Sequence, residues 1–456
     1  MSTPDVVVCG AGLCGSLLGL YLAKRDIPVT VIEKRPDIEV HDPNTGGRSI
    51  NLAISKRGLT ALEKVGLAQE VIDMSIPMYG RALHLADGSS RFLPYSHKEG
   101  EAILSVSRGA LNQKLARAAR EAGASFRYEC PISSYERSTG TVVLEGGERL
   151  SGCATLAADG AFSRVRNALV RSVDFNFSQQ FLSHRYKELT IPAAEGDKVA
   201  WRLDPHEALH IWPRGTFMLI GLPNVDGSFT MTLFAPKETF EQLQTPEDVT
   251  AFFEREFADA VPLMPTLTDD FFANPTGPLL TIQSSPWNAR GPTSLLGDAA
   301  HAIVPFFGQG MNCALEDVRV LGDLLDEERG GASAPDQIPW DSVLHRFSDL
   351  RVPDAHAIAA MALENYVEMR DTTASDAFGI HHQLEHELTR RFGAHRFLGR
   401  YERVSFTNER YSEARANGKR NVQLLHDIAQ GATSLDEIDW DHAAKVLEAA
   451  SARSDE

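Results

Sequence analysis

Val6-Val-Val-Cys9 runs straight into Gly10-Ala-Gly12-Leu-Cys-Gly15, and this stretch decides the fold. The β-branched run reads as a short buried parallel strand. The glycine loop opens an amphipathic helix that ends near Lys24, and a second strand, Val29–Ile32, closes on Glu33. Each part has a mechanical reason. Gly10 permits the tight turn, Gly12 lets a pyrophosphate approach the backbone, and Gly15 lets the helix pack on the strand. The helix start offers free N–H groups and a positive dipole to phosphate. Glu33 stands where a ribose hydroxyl is met, with Arg35 beside it as a further candidate contact. Strand, glycine loop, helix, strand and acid together predict a Rossmann-like dinucleotide-binding unit. They do not choose between NAD and FAD.

Residues 6–23 carry no charge, close to the length of a membrane span. Four glycines (Gly10, Gly12, Gly15, Gly19) interrupt the run, and the only charged side chain before it is Asp5, not the basic region a secretory signal needs. The glycine spacing explains the run better than a membrane does. The chain has 456 residues, 43% hydrophobic and 23% charged, which is soluble globular composition with room for two or three domains. A net charge of −17 gives no footprint for nucleic acid or anionic membrane. The five cysteines are unpatterned and read as free thiols in a reducing compartment, so the expected location is the cytoplasm. The expected assembly is a monomer or homodimer.

Two further motifs follow. Leu156-Ala-Ala-Asp159-Gly160-Ala-Phe-Ser163-Arg-Val165-Arg166 comes after a mixed region, and Leu295-Leu-Gly297-Asp298-Ala-Ala-His301 comes after a short strand expected at 294–296. With the first fingerprint they resemble the three signatures of the aromatic-ring flavoprotein monooxygenases, the para-hydroxybenzoate hydroxylase fold. The resemblance implies non-covalent FAD. It places Asp159 near the FAD and the nicotinamide path, Asp298 on ribityl or ribose hydroxyls, and Arg108 on the FAD. Arg108 precedes a helix expected over 109–122, where a cation opposes the dipole. Pro305-Phe-Phe-Gly308-Gln-Gly310-Met311-Asn312 is another glycine loop opening a helix. Its N–H groups suit the negative charge of a reduced flavin, which makes Gly308, Gly310, Met311 and Asn312 a candidate cradle. No second dinucleotide fingerprint appears, so NADPH or NADH is expected as a transient visitor.

Several strings are similar to kynurenine 3-monooxygenases as a family: Gly47-Arg-Ser-Ile-Asn51, Tyr186-Lys-Glu-Leu189, Leu209-His-Ile-Trp212-Pro, Leu222-Pro-Asn224, Val304 to Asn312, and Met361-Ala-Leu-Glu-Asn365-Tyr-Val-Glu-Met369. The resemblance runs from about residue 5 to about 425. It implies hydroxylation of L-kynurenine to 3-hydroxykynurenine in tryptophan degradation and NAD biosynthesis, with O2 as co-substrate through a flavin C4a-hydroperoxide. It implies that Arg81, helped by Tyr95, binds the amino-acid carboxylate, that Asn365 and Tyr401 reach in from C-terminal helices, and that Met369 lies near the substrate. Pro305 and Phe306 would lie between substrate and flavin. The eukaryotic members end in a membrane anchor, and no such segment is recognised here, which points to a soluble bacterial-type form. The alternatives are a flavin hydroxylase of another aromatic acid, or a flavin-binding regulator without turnover.

Read from the residues alone, Tyr79-Gly-Arg81-Ala-Leu83-His-Leu85 is a strand in which Arg81 shares a face with Leu83 and Leu85. A cation on an apolar face wants an anion, and a guanidinium suits a carboxylate through paired bonds. Strands expected over 217–222 and 228–234 supply an apolar wall that includes Phe234. His382 and His386 stand at metal-ligand spacing, but Gln383 replaces the glutamate of HExxH, and a solvated helix face is the expected role.

The expected fold class is α/β: a Rossmann-like FAD-binding domain (1–75, 100–175 and 280–345), a strand-rich substrate domain (76–99 and 176–279), a helical lid region (346–450) and a polar tail (451–456). A flexible loop is expected over 327–335.

Overall fold

Val6–Cys9 is fully buried and forms the middle strand of a five-stranded parallel sheet. Val29–Ile32 lies on one side of it, followed by Ser125–Arg127. Ala154–Ala157 lies on the other, followed by Thr293–Leu295. The chain leaves Val6–Cys9 in one direction first and returns to the opposite side much later. That reversal of strand order makes a switch point, and the crevice outside the carboxyl ends of such strands is where open α/β sheets bind ligands.

The computed structural model describes residues 5–40, 51–172, 174–196, 199–288, 291–329, 334–371 and 376–452, and for 368–371, 376–379, 382 and 452 only the backbone course. It divides into two compact units. The first comprises 1–75, 104–183 and 274–362; the second comprises 76–103, 184–273 and 363–456.

The first unit holds the parallel sheet. Its first helix, Leu13–Ala23, was expected to be amphipathic but is buried on all faces, because the helices Arg108–Glu121 and Gly310–Glu328 both pack against it. The apolar run that could be mistaken for a membrane span is thus the centre of this core. Tyr21 donates to the carbonyl of Ala61 at 2.7 Å, fixing Lys56–Glu63 to the same layer. Among the described residues no helix is long and apolar enough to cross a membrane. The helix from Gly310 continues to Glu328, so Glu327 and Glu328 belong to it and not to a loop. Arg346 pairs with both.

The second unit is built on a sheet in which the later part of Asn176–Ile191 is followed by Phe229–Pro236, Phe217–Pro223, Leu209–Arg214, Gly80–His84 and Ser90–Pro94. Neighbours are antiparallel except Leu209–Arg214 beside Gly80–His84, which run parallel. The region is less purely strand than expected. Lys237–Gln242, Pro246–Glu256 and Leu267–Ala273 are helices, and they bring Phe252, Phe253, Phe257 and Phe271 onto Trp212, Phe229 and Leu233. Thr245 and Asp248 form a capping box at the second of these, a local signal that outweighs the surrounding strand pattern. The C-terminal helices Asp376–Phe392, Arg400–Phe406, Tyr411–Ala429 and Trp440–Ala452 belong to the same unit. Leu384, Leu388, Phe397, Leu425, Ile428 and Leu447 form a core among them.

Candidate active site

In the first unit the motif residues follow the carboxyl ends of four adjacent strands: Gly10 after Cys9, Glu33 after Ile32, Asp159 after Ala157 and Asp298 after Leu295. The three glycines of the first loop do different work. Gly10 has φ +97°, and a Cβ there would sit 2.5 Å from the carbonyl oxygen of Ala158. At Gly15 a Cβ would sit 1.8 Å from the carbonyl oxygen of Gly10. Both are demanded by the chain's own packing. A Cβ at Gly12 meets nothing within 4 Å, so the protein itself leaves room there for another group to approach the backbone. The helix beginning at Leu13 has no side-chain cap and no acid in its first turn, which leaves N–H groups for an anion.

Glu33 is buried and accepts from the Ala11 N–H at 2.8 Å and from Arg35 Nε at 2.9 Å. Burial pushes its carboxyl up, but the Arg35 bonds outweigh burial and hold it below the usual range. Glu33 therefore closes the glycine loop and keeps acceptor capacity on its oxygens. Asp159 Oδ2 accepts the backbone N–H of Arg164 at 2.7 Å, while its buried Oδ1 has no partner among the described residues. Burial pushes its carboxyl up. Asp298 starts a short helix and is exposed, although Ala299, Ala300 and His301 behind it are buried. Arg108 begins the helix Arg108–Glu121, is exposed, and its side chain makes no hydrogen bond among the described residues.

The Gly308 loop shows a division of labour that the sequence does not show. Gly308 has φ +65° and Gly310 opens a helix without a side-chain cap or an acid in its first turn. Met311 is half-buried. Asn312 is fully buried, accepts the Ser55 N–H at 2.9 Å, and donates to the carbonyls of Ala53 and Gly308 at 2.8 Å each. Its side chain is engaged in holding this loop to the strand Asn51–Ile54, so the groups the loop can offer a ligand are its backbone N–H groups. Pro305 is exposed and Phe306 buried in the 3-10 turn Pro305–Phe307.

Two residues here have roles that the sequence does not assign. Asn112 donates to the Ala11 carbonyl at 3.0 Å and has a buried Oδ1 without a partner among the described residues. Arg166 is buried and donates to Ala161 at 2.6 Å and Ala299 at 2.8 Å, joining the second motif to the third. Neither residue type announces itself in the sequence. Open space at Gly12, an uncapped helix start, two orphan acceptors, an exposed Asp298 and an exposed Arg108 fit a phosphate- and hydroxyl-rich cofactor such as FAD.

The second unit contains a compact polar cluster. Arg81 lies in the strand Gly80–His84 and is 8% exposed, which excludes an arginine reaching solvent. Its guanidinium carbon sits 5.5 Å from the Tyr95 ring centre and 4.6 Å from that of Tyr401. The two rings stack at 5.2 Å. The Tyr95 hydroxyl is buried beside Tyr401 and Arg81, and burial pushes its ionisation well above the ordinary value, so it stays a neutral donor. Asn365 and Phe234 are also buried in this unit. The Met369 side chain lies outside the described residues, as does that of His382, while His386 is half-buried and not solvated as expected.

One group of metal-type ligands appears among the described residues: His301, Cys313 and Asp317. The Arg351 guanidinium already fills the cation's place, 2.8 Å from Asp317 Oδ1 and 3.4 Å from Cys313 Sγ. A cation cannot be added beside it without strong repulsion.

Residues 3–338 match the model of the FAD binding domain family. The chain is similar to kynurenine 3-monooxygenases across a wide range of organisms. Identity is 43% to that of Myxococcus xanthus, covering 97% of this chain and 94% of the relative. It is 39% to that of Dictyostelium discoideum, covering 93% of each, and 39% to that of Legionella pneumophila, covering 97% of each. Among solved structures, a 2-methyl-3-hydroxypyridine-5-carboxylic acid oxygenase superposes with a TM-score of 0.66 at 18% identity, covering 84% of this chain and 96% of that one. The probable FAD-dependent monooxygenase pqsL from Pseudomonas aeruginosa gives 0.65 at 20%, covering 81% and 97%. These two establish the fold. By the match over residues 3–338 and the identity to these relatives, the chain belongs to the kynurenine 3-monooxygenase family of FAD-dependent aromatic hydroxylases.

Proposed function

We propose that this protein hydroxylates L-kynurenine at the ring carbon ortho to the amine, giving 3-hydroxykynurenine, with NAD(P)H and O2 consumed. The observation that carries the substrate side is the buried Arg81 stacked over Tyr95 and Tyr401. FAD, when bound, would supply the redox chemistry that couples NAD(P)H oxidation to O2.

The chain's own residues bind and orient. Arg81 gives a fixed fork of donors for a carboxylate in a site with little water, where a charged hydrogen bond is strengthened. The Tyr95 hydroxyl, kept neutral by burial, is a donor for the same anion. Asn365 offers an amide, and Phe234 an aromatic wall for the ring. In the cradle, the open backbone at Gly12 and the uncapped helix start suit the pyrophosphate. Asp159, Asp298, Glu33 and the Asn112 oxygen suit hydroxyls, and Arg108 and Arg35 suit phosphate. The backbone of Gly308, Gly310 and Met311 suits a ring carrying negative charge. On this reading the first unit is the FAD-binding part, and the strands from Ile76 with the helices from Leu363 form the substrate part. A cytoplasmic location fits five free cysteines.

The test is NAD(P)H oxidation by the FAD-loaded protein with and without L-kynurenine, with the product's mass read out. Kynurenine-stimulated oxidation and a product heavier by one oxygen are expected. Oxidation that kynurenine does not stimulate, but another aromatic acid does, would overturn the substrate.

A further inference from the structure

The helix that carries Tyr401 is only seven residues long, Arg400–Phe406. So short a helix cannot hold a ring in place by its own backbone bonds. Side-chain bonds fix it instead, and they come from the sequence neighbours of the substrate-side residues. Glu402, next to Tyr401, is 4% exposed. Its Oε1 accepts both the backbone N–H of His97 at 2.8 Å and His97 Nδ1 at 2.7 Å. His97 lies two residues after Tyr95. On the other side, Arg400 binds Glu364 at 3.0 Å, and Glu364 immediately precedes Asn365. Arg415 takes the second oxygen of Glu364 at 2.8 Å. Tyr95, Asn365 and Tyr401 are therefore each flanked by a residue of an ion pair or charged hydrogen bond that ties their three segments together.

A buried carboxylate with a single oxygen receiving two donors is expensive unless those bonds are kept. We infer that Glu402 is a positioning residue for the substrate carboxylate site: through His97 it sets the Tyr401 ring against Tyr95 and the Arg81 guanidinium. Glu364 gives the matching bracket for Asn365. The inference rests on the reading of Arg81 as the carboxylate anchor and adds the residues that hold the anchor in shape.

The experiment uses the FAD-loaded full chain and measures kynurenine affinity by flavin absorbance titration, flavin content, and a double-substitution cycle. Glu402→Ala is expected to raise the Kd for kynurenine about tenfold, with flavin content unchanged. Glu402→Gln, whose amide oxygen still accepts both donors, is expected to stay close to the parent. His97→Ala keeps the backbone bond, and a smaller rise of about threefold is expected. In an Arg81→Ala background, Glu402→Ala should add little, because both act on one contact. A general structural defect would instead add independently and lower flavin content. If Arg81→Ala leaves the Kd unchanged, the carboxylate reading itself fails. If Arg81→Ala weakens binding but Glu402→Ala does not, the anchor stands and the positioning role is overturned. If Glu402→Ala does not fold, His97→Ala decides: an unchanged Kd there overturns the inference.

Discussion

His301 Nε2 lies 2.5 Å from Asp317 Oδ2, and both side chains are sealed from solvent. The pair stands at the third motif. Asp317 Oδ2 also accepts the N–H of Gly297 at 3.0 Å, directly before Asp298. Arg351 binds Asp317 and Glu316 at 2.8 Å each, and Arg57 binds Glu316 at 3.0 Å. The buried charges balance only if His301 is protonated, with Asp354 completing the set. Burial alone would push the His301 imidazole down, but Cys313 and Asp317 outweigh it and raise it well above the ordinary value. Burial likewise pushes Asp317 up, and His301 and Arg351 bring it below the usual carboxylate range.

The sign of the pH effect follows. A raised imidazole stabilises fully below about pH 6.5 and loses its contribution as pH rises through the folded value. A lowered carboxyl stabilises above about pH 3.9 and loses its contribution as pH falls through its folded value. The pair should stabilise most between those limits. Asp317→Ala should cost about 3–5 kcal/mol, because it leaves Arg351 and His301 without their partner in the core. Urea unfolding of both proteins across pH checks this, and a difference of under 1 kcal/mol at pH 5.5 would contradict it.

Acid should also weaken the second unit, through a different pair. His84 Nε2 and His210 Nδ1 are 2.9 Å apart, and His84 stacks on Trp212 at 4.0 Å. Burial first, and then His84, push His210 down to about 4. A neutral buried histidine stabilises above the unfolded value and is lost as pH falls from about 6.5 towards 4, which amounts to about 3 kcal/mol. His210→Asn should flatten that limb of the stability curve while leaving neutral-pH stability less affected. A curve that keeps its full acid slope would place the titration elsewhere.

The three glycines of the first loop should separate fold from cofactor. Gly10→Ala and Gly15→Ala should destabilise the apoprotein by more than about 1 kcal/mol, because their Cβ atoms meet backbone oxygens. Gly12→Ala should leave apoprotein stability unchanged and weaken FAD about tenfold or more, since only a ligand competes for that space. Denaturation of the apoprotein together with FAD titration reads both, and a Gly12→Ala protein that binds FAD normally would refute the open-space argument.

Asp298→Ala should give a folded, flavin-poor protein, because the exposed carboxylate supports none of the core around it. Full flavin occupancy in that variant would mean that the third motif serves only as a turn.

Arg81→Ala should raise the Kd and KM for kynurenine by about 10- to 150-fold with flavin content unchanged, the range of one charged hydrogen bond. A kynurenine analogue lacking the carboxylate should bind the parent poorly and lose little more in the variant.

Much of this was legible along the chain because the signals are local. Val6–Cys9, Leu13–Ala23 and Val29–Ile32 lie where strand and glycine-loop patterns put them. The Arg81 strand showed its buried cation by alternation. The helices of 237–273 are masked by the strand patterns that flank them, although Thr245-Pro-Glu-Asp248 spells a capping box. The reach of the Gly310 helix to Glu328 is obscured in the sequence by the glycines that follow it, which give Glu327 and Glu328 the look of a loop.

Local signals along the chain were enough to set the cofactor-binding frame: the order of three motifs, the residue types at each turn, and the family. A turn that needs a glycine or a helix that needs a free start is set by a few neighbouring residues. Which side chains are already engaged emerged from the packing of distant elements. It showed the Asn312 side chain bracing its loop to Ala53, set Asp317 and Cys313 against Arg351 and His301 against Asp317, and joined Glu402 to His97 across 305 residues. Such pairings depend on burial and on the angle at which distant elements meet, and a buried charge finds its partner by proximity in space, which spacing along the chain does not encode.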